Sequence, residues 1–357
     1  MTVRERREPG PREHGETEPR ERGGSASGAA TDPGPLPQPA PRAARGSSGG
    51  DRPVDMRGST GGNPSTATPD PAAVTPAGSL RTSVILTTYN HPTLLEYALL
   101  GYARQTAQDF ELIVADDGSG PETRAVIERL RPSLPYHLGH VWQPDTGFHK
   151  ARAVNLAVLA SRGAYLVFSD GDCIPAATFL ESHLRAARPR RYVVGGFVRL
   201  SQAQSESIDA DAVAAGVYER WVSVAQRLEL IATHAKSLAY ILANKRRKPK
   251  FYGLNFSVSR TDFYAVNGFD NTYHNCGRED SDLRNRMQLL GLRATSLWHR
   301  SGVFHQHHVP HHSRQGWRGV VEYYDRKDLA PESPAGLREL AAEAPDPGRD
   351  AGLCEGP

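Results

Sequence analysis

A mostly parallel α/β sheet, covered by helices on both faces, is the fold this sequence predicts. Two observations carry the prediction. From about Ser83 through Leu200, short β-branched runs alternate with stretches whose apolar residues recur at helical spacing. That alternation builds parallel strands joined by crossover helices. Three of the strand runs then end on hydroxyl or acidic groups: Thr87 to Asn90, Asp116 with Asp117, and Asp170 with Asp172. Ligands of open α/β sheets bind outside the carboxyl ends of the strands, so three polar ends at one edge mark a candidate site.

The elements follow in order. "SVILTTYN" is a strand, and "HPTLLEYALLGYARQ" is a helix with Leu94, Leu95, Ala98, Leu99 and Tyr102 on one stripe. "FELIVADDGS" is the second strand, and "PETRAVIERL" opens with the Pro and Glu of a helix start. "YHLGHVWQ", "AYLVFSD" and "RYVVGGFVRL" read as further strands, with helices at "KARAVNLAVLAS" and "AATFLESHLRAA". A helical insertion occupies about 203–250 and ends in the basic hexamer "KRRKPK", Lys245 to Lys250. A basic hexamer suits a solvated loop, an anionic acceptor or a membrane surface. "GLNFSVSR" returns to strand. "REDSDLRNRMQLLG" is a helix with acids in its first turn and Gly291 past its end. "ATSLWH" and "GVFHQHH" are the last strand material.

Composition bounds the rest. The 357 residues hold 43 Lys plus Arg against 40 Asp plus Glu, a net charge of +3, which does not indicate a nucleic-acid-coating protein. Residues 1–79 are Arg, Glu, Pro, Gly and Ser with almost no apolar run, and a disordered N-terminal tail is expected there. A mostly disordered C-terminal tail with one short helix is expected over 329–357, leaving 80–328 as the folded domain. The charged N-terminus lacks the apolar core of a secretory leader, and no run approaches the roughly 20 apolar residues of a transmembrane helix. Cys173, Cys276 and Cys354 lie far apart and suggest reduced thiols in a cytoplasmic protein.

Asp170-Gly171-Asp172 places two carboxylates where a buried strand ends. They repel each other unless something positive lies between them. Hard divalent cations take carboxylate oxygens together with substrate phosphates, so this is a metal-plus-phosphate candidate. The first strand-to-helix turn has no G-x-G-x-x-G, which argues against a dinucleotide site.

In that order, "SVILTTYN", "ELIVADDGS", "GFHKARAVNLA", "YLVFSDGDCIP", "GLNFSVSR", "NGFD", "GREDSDL" and "GVFHQHH" resemble the inverting family 2 glycosyltransferases of GT-A fold. The galactosyltransferase-like and chondroitin-polymerase-like branch is the nearest likeness, over about Ser83 to His308. The resemblance implies a nucleoside-diphosphate sugar donor, a UDP-sugar favoured, and a glycan, lipid-linked or small-molecule acceptor. It also implies that Thr87 and Tyr89 contact the nucleotide base and that Asp117 accepts from the uracil ring NH. Asp170 and Asp172 match ribose and metal ligands, and His305 matches a third metal ligand. An imidazole ligand favours Mn2+ over Mg2+. His307 would share a strand face with His305 and is the alternative ligand; His299, His308, His311 and His312 are bystanders by the same likeness. Asp280 matches the general base, and Glu279 a residue binding acceptor or donor hydroxyls, while Asp282 is structural. Gly253 and Asn255 match a Gly-x-Asn motif facing the donor sugar.

Two positions depart from the family pattern. The helix over the nucleotide keeps Asn155 but has Val154 in place of an arginine, for which Arg152 stands in. Cys276 replaces a tryptophan beside the acceptor, which implies an altered acceptor. The competing reading is a catalytically silent sugar-nucleotide or glycan-binding protein on the same fold, since fold does not fix function. A nucleotidyltransferase would need a Gly-rich phosphate loop after the first strand. A simple His-rich metal binder would not need the ordered strand-end acids.

Overall fold

The computed structural model describes residues 82–274, 278–309 and 329–343. The chain divides into two units, Met1–Pro69 and Asp70–Pro357, and every described residue lies in the second. The expected N-terminal tail, Cys276 and the last fourteen residues lie outside the described residues.

Eight strands form one sheet in the order β3-β2-β1-β4-β7-β6-β8-β5. They are β1 (Thr82–Thr88), β2 (Phe110–Asp116), β3 (His137–Trp142), β4 (Tyr165–Asp170), β5 (Cys173–Pro175), β6 (Arg191–Arg199), β7 (Asn255–Ser259) and β8 (Arg293–His305). The first four strands in that order pair in parallel. β7 then enters antiparallel between β4 and β6. The sheet is therefore mixed, with its parallel half carrying the predicted strand ends. "ATSLWH" and "GVFHQHH" are one strand, β8, whose register against β6 shifts between Gly195 and Phe197.

Helices cover both faces, as the strand periodicity requires. Along β1, Ile85 faces one core, with Phe168, Phe256 and the helix α3 (Lys150–Ala160). Val84 and Leu86 face the other, with Leu95, Leu99 and Tyr102 of α1 (Pro92–Ala103). Phe168 on β4 stacks on Phe256 of β7 with ring centres 4.2 Å apart. Both rings are nearly inaccessible, and each contributes about 1.5–3 kcal/mol by leaving water. This pair fastens the antiparallel β7 to the parallel half.

Seven further helices lie along the chain between α1 and residue 290. α2 (Pro121–Leu130) and α4 (Phe179–Ala186) complete the first layer. The insertion contains α5 (Gln202–Glu206), α6 (Ala210–Ala215) and α7 (Val224–Leu242). α8 (Arg260–Ala265) and α9 (Glu279–Leu289) follow.

The short helix expected within 329–357 is present. Residues 329–343 pack on the domain and end in α10 (Leu337–Glu343), with Leu337 and Leu340 buried. The buried Arg286 is the reason. It binds Asp282 at 2.6 Å and Asp270 at 3.3 Å, and its remaining N–H groups donate to the carbonyls of Ala330 and Glu332. A buried guanidinium needs all its donors satisfied, and this stretch supplies two acceptors.

Candidate active site

Strand register assembles the site. β1 pairs with both neighbours so that Thr88 lies beside Asp116 and Thr87 beside Asp170. On the far side of β4, Ser169 pairs with Asn255, which brings Gly253 to the same edge. Cys173 pairs with His305, so the strand that carries the histidine ends next to Asp172. Residues more than 200 positions apart in sequence thus share one rim.

The β2 end is closed by hydrogen bonds. Asp116 accepts from the Ser119 N–H at 2.8 Å and meets His140 Nε2 at 2.9 Å, so it shapes the turn. Asp117 accepts from Gln143 Nε2 at 2.5 Å and from the His149 N–H at 2.9 Å. Burial pushes its carboxyl up, while the His149 amide and Gln143 hold it down in part. Each carboxylate oxygen retains a lone pair for a further donor. Arg152 donates to Gln143 Oε1 at 2.8 Å, so it stands behind Asp117 through Gln143. Tyr89 donates to Asp145 at 2.8 Å from the β1 end.

One cation lies among the acids at the centre. Lys150 opens α3 and reaches Asp170 Oδ1 at 2.7 Å, where Thr87 Oγ1 also donates at 2.7 Å. Burial works against the Lys150 charge, but Asp170, Asp280 and Glu279 together outweigh it and hold its pKa well above the ordinary value. Lys150 is a site residue that the sequence reading passed over. Its signal was its position as the first helical residue behind the Gly147 loop.

Asp172 gathers two imidazoles. His308 Nε2 lies 2.9 Å and His305 Nε2 3.5 Å from Asp172 Oδ2. Ligand atoms of Asp172, His305 and His308 all fall within 4.8 Å of one another, the spacing of a metal site. Burial would raise the Asp172 carboxyl, but the His308 hydrogen bond and the charges of both histidines bring it down to about 2. One carboxylate and two imidazoles form a mixed O/N donor set that fits a transition-metal divalent ion. The expected roles of His307 and His308 are exchanged. β8 ends at His305, so strand alternation no longer applies beyond it. The chain turns, His308 swings to Asp172, and His307 is exposed with its N–H on Ser205 Oγ at 2.7 Å.

At the start of α9 two acids are incompletely paired. Asp280 Oδ2 accepts the Gly253 N–H at 2.9 Å, while Asp280 Oδ1 and Glu279 Oε2 are buried with no hydrogen-bond partner among the described residues. Burial, reinforced by the Asp280 charge, pushes Glu279 up to about 8. Asp280 is also raised, by burial first, with Lys150 and the Gly253 amide opposing. Gly253 is required there: a Cβ would lie 2.5 Å from Asp280 Oδ1.

Two expected donor contacts are corrected. Asn155 is inaccessible, and its amide bonds the backbone of Phe269 and the side chain of Asn271. Asn255 is equally buried between His183 Nε2 and the Gly196 carbonyl. In both cases backbone and side-chain groups inside the fold take up the amide, which turns it inward rather than toward a ligand. Asp282 is structural, as expected, in its pair with Arg286.

The sheet thus carries an acid-rich carboxyl edge, an imidazole–carboxylate trio and one cation, Lys150, paired to Asp170. Residues 83–237 match Glycosyl transferase family 2, and residues 234–312 match the N-terminal domain of galactosyltransferase. Residues 83–237 are therefore a family 2 glycosyltransferase domain, and the fold is GT-A. It is 28% identical over 245 residues to validoxylamine A glucosyltransferase of Streptomyces hygroscopicus subsp. jinggangensis, a match covering 64% of this chain and 56% of that protein. It is 24% identical over 246 residues to chondroitin synthase of Escherichia coli, covering 64% and 34%. Among solved structures, the mannosyltransferase PcManGT from Pyrobaculum calidifontis, in complex with GDP-Man and Mn2+, matches with a TM-score of 0.47 and 23% identity, over 67% of this chain and 59% of that one. The chain thus spans about half the length of the first curated relatives it matches.

Proposed function

We propose that this protein transfers a sugar from a nucleoside-diphosphate sugar, a UDP-sugar favoured, to an acceptor hydroxyl with inversion at the anomeric carbon. The observation that carries the reading is Asp280 Oδ1, a buried carboxylate oxygen without a partner at the acid-rich rim. An unpaired buried acceptor is costly, about 1–3 kcal/mol, and an acceptor hydroxyl would satisfy it.

Each residue then has a role. Asp117 offers its spare lone pairs to the ring NH of the base, and Tyr89 lines the same end. Asp170 and Lys150 flank the ribose and diphosphate. Asp172, His305 and His308 would hold a divalent cation, Mn2+ or Mg2+, whose charge offsets that developing on the leaving diphosphate. Asp280 takes the proton from the attacking hydroxyl, and a raised pKa suits a general base near neutral pH. Glu279, pushed up to about 8, keeps its proton at neutral pH and donates to a substrate hydroxyl. Two adjacent carboxyls whose environments differ in this way divide acid and base roles. The relatives named validoxylamine A glucosyltransferase and chondroitin synthase support the reaction class, and their acceptors differ too much to name one here.

The test is a hydrolysis screen of the purified protein against UDP-, GDP- and TDP-sugars with Mn2+. Slow release of one nucleotide is expected and would identify the donor. No release from any of them, with no nucleotide binding by calorimetry, would defeat the reading. In the same calorimeter, His308→Ala should weaken Mn2+ binding and His307→Ala should not. Equal Mn2+ affinities in both variants would remove His308 from the metal site.

A further inference from the structure

The helix α7 leaves an unusual face uncovered. Val224, Leu228, Ile231, Leu238 and Leu242 are 73%, 61%, 55%, 42% and 82% exposed. With the exposed Ala235 they recur at spacings of four and three residues, which keeps all six on one stripe about 27 Å long. The opposite face, with Leu230 and Ser237 buried, packs on β8. A continuous apolar stripe of this kind marks an interaction surface.

Charge identifies what the stripe meets. α7 runs straight into Lys245 to Lys250, five cations in six residues. Lys236, Lys245 and Lys248 place their ammonium groups 6.0, 5.5 and 5.8 Å from the ring centre of Tyr240, so the cations gather around an aromatic at the helix end. Beneath this segment opens a cavity of about 580 Å³. Lys245, Arg246, Arg247, Lys248, Arg278 and Arg293 are among its lining residues, and Asp282, already paired with Arg286, is the one carboxylate among the described ones. Apolar side chains along one face and cations at its C-terminal end are the features of a helix lying in a bilayer interface. Among the described residues no helix is long and apolar enough to cross a membrane. A second copy of the chain fits less well, because Glu229 is the only acid on α7 and offers little to balance a facing cation cluster.

We propose that α7 and the Lys245–Lys250 segment form a docking surface for an anionic lipid bilayer, with the stripe in the acyl boundary and the cations among the phosphate headgroups. The α7 stripe and Lys245–Lys250 include none of the residues assigned to transfer, so their variants test the surface independently of the catalytic reading.

The test is co-sedimentation of the full chain with phosphatidylcholine vesicles, with and without phosphatidylglycerol. Binding is expected only with the anionic lipid, and it should weaken as salt shortens the screening length. Lys245→Glu with Arg246→Glu should weaken binding by roughly five-fold or more per cation, from about 1 kcal/mol each near an anionic surface. Leu228→Glu with Ile231→Glu should abolish it. These positions are exposed, so an unchanged melting temperature should accompany each loss. Equal binding to both vesicle types, or none, would overturn the proposal. So would a parent dimer that Leu228→Glu converts to monomer by light scattering without any effect on vesicles, since a second copy would then cover the stripe.

Discussion

Two acids at the same sheet edge, Asp117 and Asp280, are treated in opposite ways by the fold. Asp117 has a donor on each carboxylate oxygen, from Gln143 and the His149 amide, before any ligand arrives. Asp280 has the Gly253 amide on one oxygen and nothing on the other, and its neighbour Glu279 also has an unpaired buried oxygen. The first arrangement suits recognition. It fixes a side chain in advance, so binding need not order it. The second suits chemistry. Burial raises both Asp117 and Asp280, but only the second arrangement leaves a buried acceptor position open for a proton in motion.

The contrast can be broken most severely at Asp280. Asp280→Asn preserves shape and can still accept the Gly253 amide, but it cannot take a proton. Turnover should fall about 100- to 10,000-fold, the usual contribution of a general base. Nucleotide affinity by calorimetry should stay within about two-fold, and the melting temperature should hold or rise because a buried charge next to Glu279 is gone. Retention of a tenth of parental turnover would place the base elsewhere.

Gly253→Ala tests the same oxygen from outside. The added Cβ would sit 2.5 Å from Asp280 Oδ1, a distance that forces one of them to move. A displacement of about 1 Å at a reacting group can cost on the order of 100-fold. A loss of that size in turnover, with donor affinity intact, is expected from the transfer rate. An unchanged rate would mean that Asp280 is not held where it acts.

Asp117→Ala should invert the pattern. Hydrogen bonds to charged groups are worth about 1.5–3 kcal/mol, so nucleotide affinity should drop about 10- to 100-fold. Stability should also fall, because the His149 amide and Gln143 lose their acceptor. If bound donor turns over at the parental rate once saturated, recognition and chemistry are separate, as the comparison holds. A loss confined to turnover would erase the distinction.

The same contrast governs what was legible in the sequence. β1, β2 and β4 are apolar β-branched runs that end on acids, and both the strands and the carboxyl-edge site follow from local pattern. Asp117, Asp172, Glu279 and Asp280 all arrive at that edge. The amides were misplaced because a sequence does not say whether Asn155 or Asn255 meets a ligand or a buried carbonyl. Only the packed positions of Phe269 and Gly196 decide that. His308 was missed because strand alternation was carried past the residue where β8 stops. The antiparallel entry of β7 depends on the Phe168–Phe256 stack, a contact between residues 88 positions apart that no local window contains. The ordering of 329–343 depends on a buried Arg286 whose acceptors are backbone carbonyls, which carry no sequence signal.

The smallest expected effect is a slope. Glu279 is pushed up to about 8 by burial and by the Asp280 charge, from an ordinary glutamate value of 4.5. Between those two values the folded protein keeps the Glu279 proton and the unfolded chain gives it up. The unfolded state then binds fewer protons, so this group's contribution to stability is full below about pH 4.5 and declines as pH rises toward 8. Glu279→Gln cannot ionise in either state and removes that decline. Melting curves of parent and variant should therefore diverge with pH, the parent losing ground to the variant between pH 5 and pH 8. A domain of this size shifts by roughly 2–4 °C per kcal/mol and one pH unit is worth about 1.4 kcal/mol, so the divergence should grow by a few degrees per pH unit. Added Mn2+ with nucleotide should reduce it, because bound ligand brings positive charge and hydrogen-bond donors toward Glu279. Parallel curves would mean that Glu279 is ionised in the folded protein. The α9 acids would then be as well satisfied as Asp117, and the difference between the two ends of the site would reduce to geometry alone.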